Sequence, residues 1–189
     1  YEDWERGCAA DSVRNEFVVP RIVEFFSRTR PDTILDVGCL TGYMAREINR
    51  ALSYAPAWTL LDCDADAVAF ARASIPTGMS ARLINQRLQD FTSSEKFAAG
   101  LLTFTLLELG DRTGIFEAMG SQLRDGGHLV IALPDCLQDV IAQVRAGAQL
   151  ELLDEFVRSD VQIPKIDKFT AEPYPFFAVR LTRVIAEAI

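Results

Sequence analysis

Thr33-Ile-Leu-Asp-Val-Gly-Cys-Leu-Thr-Gly-Tyr43 decides the fold of this chain: an apolar run reaches an acidic residue, Asp36, and then breaks at two glycines, Gly38 and Gly42. Ile34, Leu35 and Val37 suit a strand buried on both faces. The glycines permit positive φ and close backbone approach, as a ligand-gripping loop between a strand and a helix requires. A small-molecule site at this turn is the first expectation.

Trp58-Thr-Leu-Leu-Asp62 is a second short apolar run ending in a carboxylate, 24 residues beyond Gly38. In a doubly wound sheet such a carboxylate stands at the tip of the second strand, where it accepts two hydrogen bonds from a ribose diol. The ligand is therefore expected to carry a nucleoside. A dinucleotide fingerprint, G-x-G-x-x-G, would place glycines at 38, 40 and 43, but Leu40 and Tyr43 stand at two of these positions. That spacing disfavours a nicotinamide-dependent oxidoreductase.

The run Leu35-Asp-Val-Gly-Cys-Leu-Thr-Gly42, followed by Leu61-Asp-Cys-Asp64, resembles the first two motifs of the class I S-adenosylmethionine-dependent methyltransferases. Leu123-Arg-Asp-Gly-Gly-His-Leu-Val-Ile131 resembles the turn and fifth strand of the same family, so the likeness covers roughly residues 31–135. The resemblance implies a Rossmann-like fold, S-adenosylmethionine as cofactor and methyl transfer as the activity. It implies cofactor-binding roles for Asp36, Gly38, Cys39, Leu40 and Gly42 in the first motif, and for Asp62, on the ribose, and Cys63 in the second. Asn85-Gln-Arg-Leu-Gln-Asp-Phe91 resembles the family's adenine segment, with Leu88 packing on the base and Asp90 at its edge. Thr103, Phe104 and Thr105, at the end of the fourth strand, are expected to line the path from the methyl group to the acceptor, Thr103 and Phe104 against the cofactor and Thr105 against the acceptor.

Two residues depart from the family pattern. Leu40 stands where the middle glycine of the first motif usually lies, and Arg87 where an aspartate is usual. These departures motivate the alternative of a non-catalytic S-adenosylmethionine-binding or regulatory protein. The N-P-P-Y type tetrapeptide associated with amine methylation is absent, Thr103-Phe-Thr-Leu-Leu107 standing in its place. Methyl transfer from a sulfonium depends chiefly on orientation and requires no nucleophilic side chain. His128, at the start of the fifth strand, is read as structural, and no catalytic residue is assigned.

Over 189 residues, 49% hydrophobic and undivided by a linker-like run, one α/β domain is expected. Short strands alternating with helices imply right-handed crossovers and a doubly wound, mainly parallel sheet in the order 3-2-1-4-5, with the ligand at its carboxyl ends. The net charge of −8 opposes a non-specific grip on nucleic acid. Cys8, Cys39, Cys63 and Cys136 are too dispersed for a zinc site or a disulfide framework. No apolar run approaches the roughly 20 residues that span a bilayer, and no leader pattern opens the chain. A cytoplasmic protein is expected, trimmed at its N-terminus since it starts without Met.

Residues 1–30 are expected to form an N-terminal helical cap, 31–135 the cofactor-binding core, and 136–189 a helical, aromatic-rich C-terminal segment. Val13, Phe17, Val18, Ile22, Phe25 and Phe26 have near-helical spacing, with Pro20 marking a kink or a junction. In the last segment Val140, Ile141, Val144, Leu150, Leu153 and Phe156 read as a helix, as do Val179, Leu181, Val184 and Ile185. The final antiparallel hairpin of the family is accordingly expected to be missing or truncated. The acceptor, a small molecule, is expected between Tyr1 and Trp4 on one side and Tyr174, Phe176 and Phe177 on the other.

Overall fold

The computed structural model describes residues 1–105, 112–134, 150–158 and 177–184. The chain opens with α1 (Glu2–Ala10) and α2 (Val19–Thr29), joined through a π-helical turn at Arg14–Val18. There follow β1 (Thr33–Val37), α3 (Tyr43–Ala51), β2 (Ala57–Asp62), α4 (Ala65–Ser74) and β3 (Ala81–Asn85). A short 3-10 turn at Leu88–Asp90 leads to β4 (Phe97–Thr103), α5 (Arg112–Gln122) and β5 (Leu123–Pro134). Two further strands, β6 (Leu150–Arg158) and β7 (Phe177–Val184), complete the sheet.

The strands lie in the order β3-β2-β1-β4-β5-β7-β6. The first five are mutually parallel in the expected order 3-2-1-4-5. The last two overturn an expectation: β7 runs antiparallel to β5, and β6 antiparallel to β7, so the final hairpin is present. Leu150, Leu153 and Phe156 recur every third residue, which imitates a helix. The register shift between Leu152 and Asp154 marks a bulge, which adds one residue and interrupts the strict period of two by which a strand is read. In β7 the pair Val179 and Leu181 obeys strand alternation equally well. The expected helical residues Val140, Ile141 and Val144 lie outside the described residues.

Alternation on β1 divides the interior into two apolar layers. Ile34 packs with Phe26, Ile48, Trp58, Leu60 and Leu101 on the side covered by α2 and α3. Leu35 and Val37 pack with Leu102, Ile115, Phe116, Met119 and Ile131 on the side covered by α5. Burying a strand on both faces makes Asp36, fully buried on β1 and pointing with Ile34 rather than Leu35, a polar exception in an apolar layer.

The N-terminal segment has its own local logic. Pro20 has no N–H to return to the carbonyl of Glu16, and its ring would crowd that carbonyl in a regular α-helix. The wider π-helical turn at Arg14–Val18 lies immediately before it and relieves both constraints. Val18, Ile22, Phe25 and Phe26 then face the core, and the Phe25 and His128 rings meet nearly at right angles with centroids 5.1 Å apart. Among the described residues no helix is long and apolar enough to cross a membrane.

Candidate active site

The loop after β1 is built from three left-handed residues in five: Gly38 at φ 70°, Leu40 at φ 48° and Gly42 at φ 73°. The amides of Gly38 and Cys39 both donate to the carbonyl of Leu61, at 2.8 and 3.2 Å, and fold the loop over the end of β2. Thr105 Oγ1 donates to the carbonyl of Val37 at 2.9 Å from the other side. A Cβ on Gly38 would lie 2.3 Å from the Thr105 side chain. Gly38 is therefore required twice, for its φ and for its lack of a side chain.

Leu40 adopts the positive φ that a glycine would take, and Asp62 holds it there. Asp62 Oδ2 accepts from the Leu40 amide at 2.7 Å, while its Oδ1 accepts from the Asp64 amide at 2.9 Å. The carboxylate is thus aimed along the carboxyl edge of the sheet and is 8% exposed. A carboxylate has about four lone-pair directions, so two remain for a diol. Asp64 caps α4 by accepting from the amides of Asp66 and Ala67, at 2.9 and 3.0 Å.

Asp36 lies fully buried at this end of β1, and neither of its carboxylate oxygens has a hydrogen-bond partner. Burial, and after it the nearby Asp62 carboxylate, push its carboxyl up from 3.8 to about 7. Thr41 Oγ1 is likewise buried and unpartnered. Orphaned polar atoms of this kind are rare in folded interiors and call for an occupant. Burial also pushes the Cys39 thiol far above its ordinary range, so it stays protonated.

The remaining residues singled out from sequence divide into three groups. Cys39, Gly42, Thr103 and Phe104 lie with Gly38 and Asp62 along the ends of β1, β2 and β4; Phe104 has φ 64° and its amide donates to the carbonyl of Ala132 at 2.8 Å. Leu88 is buried against Phe91 and Leu102, Asp90 is exposed, and Cys63 is exposed beside Asp62. Tyr1 donates its hydroxyl to Asp64 and packs on Phe70 at 5.9 Å, on the α4 side. Trp4 packs instead towards Phe104, through the Arg14 side chain set between them. Tyr174 and Phe176 lie outside the described residues; Phe177 is the first residue of β7, paired with Pro134 and Arg158, rather than part of a connecting run.

The Methyltransferase domain family matches residues 34–127, the segment that contains every described element of this loop-and-carboxylate arrangement. The chain belongs to the class I S-adenosylmethionine-dependent methyltransferases. Among solved structures, N-methyltransferase NodS from Bradyrhizobium japonicum WM9, in complex with S-adenosyl-L-homocysteine, superposes with a TM-score of 0.70 at 18% identity, over 97% of each chain. The amino pentose methyltransferase CalS10 from Micromonospora echinaspora is 26% identical, with a TM-score of 0.56 over 69% of this chain and 54% of its own. Magnesium protoporphyrin IX methyltransferase from Synechocystis PCC 6803 gives a TM-score of 0.66 at 10% identity, over 88% of this chain and 78% of its own. No curated protein sequence matches this methyltransferase.

The residues present fit the cofactor of such a methyltransferase. Gly38 forms a cradle that a Cβ would fill, Asp36 offers an unpartnered buried carboxylate, and Asp62 stands at the tip of β2. One buried charge beside Phe104 escaped the reading of the sequence. Arg14 is 5% exposed although it sits on a helix otherwise read only for its apolar spacing. The one available signal was its position one residue after Val13 on the inward stripe, where a charged residue breaks the pattern.

Proposed function

We propose that this methyltransferase acts on a small-molecule acceptor, enclosed between the N-terminal helices and the carboxyl ends of β1 and β4. The observation that carries this reading is the span of the N-terminal segment over the edge of the sheet. Tyr1 reaches Asp64 at the start of α4, Tyr43 donates to Asn15 at 3.0 Å, and the Arg14 guanidinium lies 4.6 Å from the Phe104 ring. A site roofed from α4 to β4 suits an acceptor that enters whole, and pockets for such ligands are concave and mostly apolar with few polar groups. The names of CalS10, an amino pentose methyltransferase, and of the magnesium protoporphyrin IX methyltransferase support the same acceptor class. The net charge of −8 points away from nucleic acid.

S-adenosylmethionine supplies an electrophilic methyl group when bound. In the proposed reading Asp62 accepts from the ribose hydroxyls, and the amides of the 38–42 loop face the methionine end. Asp36 offers its unpartnered oxygens to the α-ammonium, which would return its carboxyl to the charged form. Leu88 packs near the adenine and Asp90 or an adjacent amide meets its edge. Thr103, Phe104 and Thr105 line the way to the acceptor, with Trp4 beside them, and orientation supplies most of the rate enhancement. Tyr1, placed on Asp64, covers the ribose side rather than the acceptor.

Incubation with S-adenosylmethionine and separate panels of small amines, hydroxylated aromatics, peptides and RNA tests this reading, with S-adenosylhomocysteine release followed by mass spectrometry. Turnover confined to one or more small molecules is expected. Methylation of RNA or peptide with none of any small molecule would overturn the acceptor class.

A further inference from the structure

Arg46, on α3, has its two arms on different parts of the molecule. Its Nη1 donates to the carbonyl of Thr41 in the glycine loop at 2.6 Å, and its Nη2 pairs with Glu5 on α1, 41 residues away in the chain. The two side chains are largely withdrawn from water, 13% and 21% exposed, so the pair is screened far less than a surface contact would be. Glu5 Oε1 is buried with no hydrogen-bond partner among the described residues, which leaves Arg46 as the group that holds this carboxylate. Of the nine residues of α1 only Cys8 is buried, so apolar packing gives that helix little anchorage and its polar ties decide where it docks.

The Thr41 carbonyl matters because of the turn it belongs to. The Gly42 amide donates to the carbonyl of Cys39 at 2.7 Å and closes a four-residue turn, Cys39–Gly42, whose second residue is Leu40 at φ 48°. A leucine is strained at such a φ and stays there only where its surroundings fix the backbone. Two charged side chains do so from opposite ends: Asp62 accepts from the Leu40 amide at 2.7 Å, and Arg46 donates to the Thr41 carbonyl. Because a peptide unit is planar, holding that carbonyl also aims the Gly42 N–H. The amide of Arg46 itself donates to the Gly42 carbonyl at 3.0 Å, so the loop and the first turn of α3 are fastened at one residue.

We infer that Arg46 is a positioning residue that couples α1 to the cofactor loop: the Glu5 carboxylate holds its guanidinium on the Thr41 carbonyl, and the loop keeps its binding shape while α1 is docked. The inference rests on the proposed placement of the methionine end of the cofactor at the 38–42 loop. Coupling between two sites is reciprocal, so the bound cofactor in turn holds α1 in place. Neither Glu5 nor Arg46 has to touch the ligand for this. A lysine at position 46 would keep the charge but bring a single ammonium to two partners.

A double-mutant cycle on the intact chain tests the coupling, with S-adenosylhomocysteine affinity measured by calorimetry for wild type, Glu5→Gln, Arg46→Met and the double variant. Each single variant should bind about 5- to 20-fold more weakly, and the double variant no more weakly than Arg46→Met alone, because Glu5 acts through Arg46. Effects that multiply would show Glu5 reaching the cofactor by another route, and unchanged affinities with lowered melting temperatures would show a tie that only supports the fold; either result overturns the inference. Amide hydrogen exchange gives a readout that does not need the double variant to fold. In ligand-free Glu5→Gln the Gly42 amide should exchange faster than in wild type, while the remote Ser93 amide, bonded to Gln122, is unchanged. In wild type, bound S-adenosylhomocysteine should slow exchange along α1, and should do so less in Arg46→Lys. Equal Gly42 exchange in the two ligand-free proteins, or no effect of the bound ligand on α1 of wild type, overturns the inference. Failure of S-adenosylhomocysteine to bind wild type would instead overturn the reading of the site, and the ligand-free exchange of Gly42 would then decide the Arg46 tie by itself.

Discussion

Replacing Asp36 by asparagine should change how stability depends on pH, in a direction opposite to that of most paired carboxylates. The folded-state pKa is raised, from 3.8 to about 7, by full burial and by the neighbouring Asp62. The native state therefore holds this proton more tightly than the unfolded chain does, and stability falls as pH rises through the interval between the two values. No penalty operates below the unfolded value, and the full one operates above the folded value. At about 1.36 kcal/mol for each pH unit of that interval, the whole displacement corresponds to roughly 4 kcal/mol, the larger part of which accrues between pH 5 and pH 8. An amide at this position cannot ionise and carries none of this dependence. Urea unfolding of ligand-free wild type and Asp36→Asn at pH 5 and pH 8 measures it. The stability of the variant relative to wild type should increase by roughly 3 kcal/mol over that range, whatever constant offset the amide introduces. Parallel profiles for the two proteins would show that Asp36 ionises normally in the fold, and would refute the reasoning that its oxygens await a partner.

Gly38→Ala combines a left-handed φ with a Cβ placed 2.3 Å from Thr105, so S-adenosylhomocysteine binding should be lost and the melting temperature lowered; thermal shift with and without ligand checks both. Asp62→Ala removes two hydrogen bonds to the amides of Leu40 and Asp64, each charge-assisted and worth about 1.5–3 kcal/mol when intact, so it should both destabilise the chain and weaken S-adenosylhomocysteine by at least tenfold or so in calorimetry. Asp64→Ala removes only the cap of α4 and the Tyr1 contact, and should cost about 1 kcal/mol in chemical denaturation while S-adenosylhomocysteine affinity changes far less than in Asp62→Ala.

Strands β1 and β2 were legible because each announces itself twice, as a buried apolar run and by the residue that ends it. Asp62 closes β2 and Gly38 follows β1, and helix starts such as Asp64 are fixed by local hydrogen bonds that composition alone predicts. The last two strands were not legible, for a specific reason: the bulge near Leu152 interrupts the period of two, the apolar residues happen to recur every third position, and no turn residue of the Asn-Gly type marks the connection. Of the site, the residues on the sheet edge were readable because strand ends converge by topology. Arg14 was not, since its partners Trp4 and Phe104 stand 10 and 90 residues away in the sequence and no local pattern joins them. Tyr1 illustrates the same gap in the other direction, an N-terminal aromatic expected at the acceptor and found on Asp64.

The π-helical turn at Arg14–Val18 has a consequence for how the length of the N-terminal segment can vary. A turn of this kind completes its circle in one residue more than an α-helical turn and takes up that residue within itself. The segments on either side keep the alignment of a regular helix, with α2 anchored in the core through Ile22 and Phe26. Elsewhere in a helix an added residue would rotate every upstream side chain by about 100°. The turn thus acts as a slack link, a place where residue count can differ while Tyr1 and Trp4 keep their aim toward the sheet edge.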